Sequence, residues 1–150
     1  MYSMKYFGAL LIMCGCITLS YFYEKNEKNK IRHLIKMKDF ITFIRTKINL
    51  FLTPLSELYE EYNDDFIAEL SKDGFSTLNK YFNNNICEYL EDFFKSMGKG
   101  MKDEELALCD YTITQLSAGI EKAEAEYKNK IKVFRTLVIF SGASLVILVI

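Results

Sequence analysis

The stretch KDEELALCDYTITQLSAGIEKAEAEYKNKIKVFRTLVIFSGASLVILVI, residues 102–150, contains no proline and no glycine pair. Leu106, Cys109, Ile113, Leu116, Ile120, Ala123, Tyr127, Ile131 and Phe134 recur through it every three or four residues. That spacing places them on one face of a continuous helix, at the repeat used by coiled coils. Beyond Arg135 the amphipathic pattern gives way to fourteen uncharged residues, 137–150. The spacing therefore predicts one helix whose first part packs on a partner and whose last part is apolar all round.

The other end of the chain mirrors this. Residues 6–23 carry no charge, and Leu34, Met37, Ile41, Ile44, Ile48, Phe51 and Leu55 then follow at alternating spacings of three and four. Thr53-Pro54 offers an N-cap and a first-turn proline, so this helix should end near residue 52 and a second one cover 55–62. The amphipathic stretches 25–52 and 102–132, 28 and 31 residues long, correspond to about 42 and 46 Å of helix. They are matched for antiparallel pairing.

Between them, Asn63-Asp64 and Asp73-Gly74 read as turns around a short helix carrying Phe66, Ile67 and Leu70. A further amphipathic stretch, 75–94, holds Leu78, Phe82, Ile86, Tyr89, Leu90 and Phe93, with a break at Asn83-Asn84-Asn85. Gly98-Lys99-Gly100 is the last breaker. No strand pattern occurs. The expected fold is all-α, an antiparallel helical bundle between N- and C-terminal transmembrane helices. The domains would be 1–23 (first span), 24–132 (cytoplasmic helical domain) and 133–150 (second span).

A span needs about 20 apolar residues. The first run has nearly that length, and Tyr2, Tyr6, Tyr21 and Tyr23 lie at its ends, where interfacial aromatics belong. The second run reaches span length only if it starts near Val133 and Arg135 snorkels back to the headgroups. Lys25, Lys28, Lys30 and Arg32 follow the first run, and Lys128, Lys130, Lys132 and Arg135 precede the second. Basic flanks stay cytoplasmic, so the middle of the chain is expected there, with the basic residues against anionic lipid headgroups.

The net charge of −1 provides no general attraction to nucleic acid. The charge is nevertheless uneven. Residues 57–92 hold ten acids against Lys72 and Lys80, a local balance of −8. Glu57, Glu60, Glu61, Asp64, Asp65 and Glu69 are the candidate partner-binding residues, suited to a basic surface. They lack the Asp-x-Asp-x-Asp-Gly spacing of a calcium loop. The aromatics of 75–94 are interleaved with acids, which argues for core and against base stacking.

Chemistry is sparse. Gly98-Lys99-Gly100 lacks the earlier glycine and following Ser/Thr of a phosphate loop. His33, the only histidine, lies in the basic helix with no evident acidic partner and reads as a solvated or interfacial side chain. Cys14, Cys16, Cys87 and Cys109 include no CxxC pair, and Cys87 and Cys109 read as small core residues. No catalytic, metal or cofactor residue is assigned, and no enzyme activity is expected.

Thr53-Pro54-Leu55-Ser56-Glu57-Leu58 after a heptad helix, Met97-Gly98 before a long last helix, and the basic entry 128–136 into an apolar tail resemble stage III sporulation protein AB of endospore-forming bacteria. Where that family usually has Ser/Thr, an acid and a later glutamine after the glycine, Gly100, Met101 and Glu105 stand here, and 54–100 is shorter than usual. The family's fold is similar to the cytoplasmic domain of type II secretion platform proteins. The resemblance implies a multi-pass membrane component of the secretion-like channel complex between mother cell and forespore, on the mother-cell side. A cytoplasmic ATPase, stage III sporulation protein AA, would dock on it beside other membrane components of the complex. A homo-oligomer is compatible with this. The competing expectation is a small pore-forming or lysis-type two-span protein.

Overall fold

Phe40, Ile41, Ile44 and Met37 have no exposed surface at all. They form the seam along which a computed structural model of the chain packs its helices. The structure describes residues 2–51 and 55–149, and side-chain surroundings for these except 2–6, 9, 50, 51, 55, 75, 146, 148 and 149. Six helices follow in order: α1 (Tyr2–Phe51), α2 (Leu55–Glu61), α3 (Asp65–Asp73), α4 (Phe75–Tyr81), α5 (Asn84–Ser96) and α6 (Lys102–Val149). No strand occurs among the described residues. The expected Thr53-Pro54 corner, and the burial of Phe51 and Leu55, lie outside the described residues.

The breaks fall where local chemistry puts them. Asp64 caps α3 by accepting a hydrogen bond from Phe66 N at 2.9 Å. Gly74 ends α3 at φ 59°, a backbone conformation that side chains with a Cβ disfavour. The Asn83–Asn85 run divides the 75–94 stretch into α4 and α5, at the break expected there. Gly98 turns the chain at φ 82° after α5. Glu104, in the third position of α6, reaches back to accept from Met101 N at 3.0 Å, half of a capping box. Glu105 accepts from Gly98 N at 2.8 Å. Asp103, Glu104 and Glu105 also set three negative charges against the positive end of the α6 dipole.

The chain divides into two units. The larger, Lys30–Lys122, contains α2 to α5 and the adjoining parts of α1 and α6. Its core takes Leu34, Met37, Ile41, Ile44 and Ile48 from α1, the stripe expected from the sequence, and adds Phe40. Leu58, Phe66, Ile67, Leu70, Leu78, Leu90 and Phe93 come from the short helices, and Cys109, Thr112 and Leu116 from α6. Phe40 meets Tyr59 and Tyr62 at ring-centroid distances of 5.2 Å, fastening α2 on α1. Phe66 meets Tyr81 edge-on at 5.3 Å, joining α3 to α4. Arg45 grips the Asp110 carboxylate with two hydrogen bonds, and Lys102 Nζ donates to the Asn49 carbonyl at 2.7 Å, so α1 and α6 run antiparallel here.

The smaller unit gathers α1 up to Asn29 with α6 from Ala123 onwards. Tyr23 stacks on Phe134 with ring centroids 4.7 Å apart. Lys25, Lys28, Glu124, Glu126, Lys128, Lys130 and Lys132 expose charge, whereas towards the chain ends the exposed surface is chiefly apolar, with Phe7, Leu10, Leu11, Met13, Ile17, Leu19 and Phe22 on α1, and Val133, Leu137, Ile139, Phe140 and Ile147 on α6. These are the ends expected to be spans. Among the described residues, however, no helix is long and apolar enough to cross a membrane.

Candidate docking surface

The six acidic candidates fall into two groups. Glu57 and Glu60 on α2, and Asp65 in the first turn of α3, are exposed, and no ion pair or hydrogen bond engages their side chains among the described residues. The other three are engaged within the fold. Glu61 pairs with Lys47 of α1. Asp64 accepts from Lys36 Nζ at 2.7 Å while capping α3. Glu69 accepts from Lys80 Nζ at 2.9 Å and from the Tyr81 hydroxyl at 3.1 Å.

Their electrostatics follow these contacts. Burial pushes the Asp64 carboxyl upward, but Lys36 and the Phe66 N–H outweigh it and hold it below the usual carboxylate value. Lys80, then Tyr81, hold Glu69 down in the same way, and Glu69 raises the Lys80 ammonium in return. These three acids tie α2 and α3 to α1, and α4 to α3. Glu57, Glu60 and Asp65 are left to face outward.

The basic candidates divide similarly. Lys25, Arg32, Lys128 and Lys132 are exposed. Lys30 is exposed as well. Lys28 and Arg135 both donate to Glu24, at 3.1 and 3.0 Å, and Lys130 lies 3.8 Å from Glu126, a loose pair within α6. Glu24 carries no signal in the sequence, since it and Glu27 alternate with lysines as on an ordinary solvated face. Tyr127 also donates to it at 3.0 Å. Lys28, then Arg135 and Tyr127, bring its carboxyl down to about 2.

His33 departs from expectation. Rather than being solvated, it is half-buried, its ring 4.4 Å from Tyr81 and 4.9 Å from Phe66, so it helps seat α3 and α4 on α1. Cys87 and Cys109 are buried and free. Burial pushes both thiols up, that of Cys109 to about 12. No group of three or more His, Cys, Asp or Glu side chains placed to hold a metal gathers among the described residues.

The Met101 and Glu105 positions, where the chain departs from the usual family pattern, have local uses. Met101 N–H is capped by Glu104, and Glu105 closes the Gly98 turn. No curated protein and no solved structure matches the chain. A family model does, in two overlapping segments, residues 5–72 and 67–150. Together they take in the apolar ends, the short helices and the glycine turn, and the chain belongs to the stage III sporulation protein AB family.

Proposed function

We propose that this protein is a non-enzymatic membrane platform of stage III sporulation that receives a cytoplasmic ATPase, stage III sporulation protein AA, on its helical domain. Family membership gives the sporulation role. The observation that carries the docking reading is the outward, unengaged Glu57, Glu60 and Asp65, set on two short helices whose neighbouring acids are held by internal pairs. Three carboxylates on a fixed support suit a basic partner surface. The apolar side chains exposed on 7–22 and 133–147 support the membrane reading. Against a pore, few hydroxyls are available for a lumen, and three of them are engaged: Thr18 donates to the Cys14 and Gly15 carbonyls, Ser141 to Val138 and Ser144 to Phe140.

The test is a pull-down of the ATPase by full-length protein in detergent. Glu57→Lys, Glu60→Lys and Asp65→Lys together should abolish capture, and capture by the unaltered protein should fall as salt rises, since exposed charges are screened over about 8 Å at physiological ionic strength. Undiminished capture by the triple variant would remove the docking site.

A further inference from the structure

Three donors from two helices converge on one carboxylate. Glu24 Oε1 accepts from Tyr127 Oη at 3.0 Å and Lys28 Nζ at 3.1 Å, and Oε2 accepts from Arg135 Nη2 at 3.0 Å. The Tyr127 ring also lies beneath the Lys28 ammonium, 6.0 Å from its centroid. The Tyr23–Phe134 stack lies beside this network. From Glu24 towards the start of α1 the next charge is Lys5, and after Arg135 there is none on α6. The described side chains of 7–22 and 136–147 that face outward are chiefly apolar.

Arg135 presents a difficulty to any lipid around this unit. The uncharged run of α6 follows it directly from Leu137, and the apolar Val133 and Phe134 stand just before it. An apolar segment counted from Val133 therefore has Arg135 inside it. A lone guanidinium there is expensive, whereas one paired with a carboxylate at the boundary is not. Lys28 and Arg135 are about equally exposed, at 62% and 60%, and Glu24 is the acid that Arg135 pairs with among the described residues.

We infer that Glu24 is the boundary counter-ion of Arg135: the pair lets α6 enter lipid from Val133 and holds α1 and α6 in one register. Glu24 is thus a positioning residue for the membrane unit, and this rests on the membrane reading above. Lys28 and Tyr127 aim the carboxylate.

The experiment uses the full chain with its four cysteines changed to serine, expressed in membranes. Retention in carbonate-washed membranes reads the membrane proposal by itself. A Tyr23→Cys/Phe134→Cys pair reports register by oxidative cross-linking, and a Val133→Cys variant reports depth by labelling with an impermeant maleimide. Glu24→Gln should slow cross-linking and raise Val133→Cys labelling, each by about tenfold, as expected for loss of one charge-assisted pair. Glu24→Arg combined with Arg135→Glu should recover most of both signals. If the protein is retained and Glu24→Gln leaves both unchanged, or the swap recovers neither, the counter-ion role is wrong while the membrane reading stands. If the unaltered protein washes off, the membrane reading falls and takes this role with it.

Discussion

Lys36 and Asp64, 28 residues apart in the chain, meet at 2.7 Å, and the same carboxylate caps α3 through Phe66 N. One side chain therefore starts a helix and fastens it to α1. Asp64→Ala should destabilise the protein by about 1–2 kcal/mol, the usual cost of a lost cap plus a partly exposed ion pair. Asp64→Asn keeps the capping oxygen and should lose less than half of that. Guanidinium denaturation of the full-length protein in detergent measures both.

Phe40 is fully buried and holds Tyr59 of α2 and Tyr62 just after it. Phe40→Ala should cost about 3–5 kcal/mol. Ile35→Ala, one turn away and 40% exposed, should stay within about 0.5 kcal/mol of the parent. Equal effects in the same denaturation assay would contradict the placement of the core.

Much of the bundle was legible because hydrophobic spacing reports which face is inward. Leu34, Met37, Ile41, Ile44 and Ile48 are buried as their repeat requires, and Cys87 and Cys109 are inside. Phe40 escaped because it lies beside the 3/4 stripe and is covered by α2, an arrangement that periodicity within α1 does not encode. The site was less legible. Charge density marked 57–92 as acidic, but which lysine reaches which acid depends on how short helices fold back on α1. So Glu61, Asp64 and Glu69 could not be told from Glu57, Glu60 and Asp65. Glu24 shows the converse: with Glu27 it alternates with lysines and carries no pattern, and only packing shows that three donors meet there.

Gly98 has φ 82° with open space around its α-carbon. Gly98→Ala therefore meets no clash and pays only for the left-handed backbone, about 1–2 kcal/mol. A D-alanine introduced there by semisynthesis should restore the parent's thermal midpoint.

The Glu24 network should respond to acid with a defined sign. Its folded pKa, about 2, lies below the ordinary 4.5. Its contribution is thus fully present above about pH 4.5 and is lost as pH falls towards 2. The difference in thermal midpoint between parent and Glu24→Gln should be constant from pH 7 to pH 5 and shrink below that. A gap that widened on acidification would contradict the network.

Cys87 and Cys109 are buried, with thiols made harder to ionise. At pH 8 a thiol-disulfide reagent should leave both unmodified in the folded protein and react with both in guanidinium. Rapid reaction without denaturant would show that α5 or α6 opens readily.

The hydroxyls of Thr18, Ser141 and Ser144 have a last consequence. A hydropathy scale scores each as a polar group that must give up water. Much of that penalty arises from a hydrogen bond left unmade, and here the bond is already made to a carbonyl of the same helix and moves with it. The ends of α1 and α6 are therefore oilier than their letters. Oil–water partitioning of peptides covering 6–23 and 133–150 should be more favourable than the sum of their residue values.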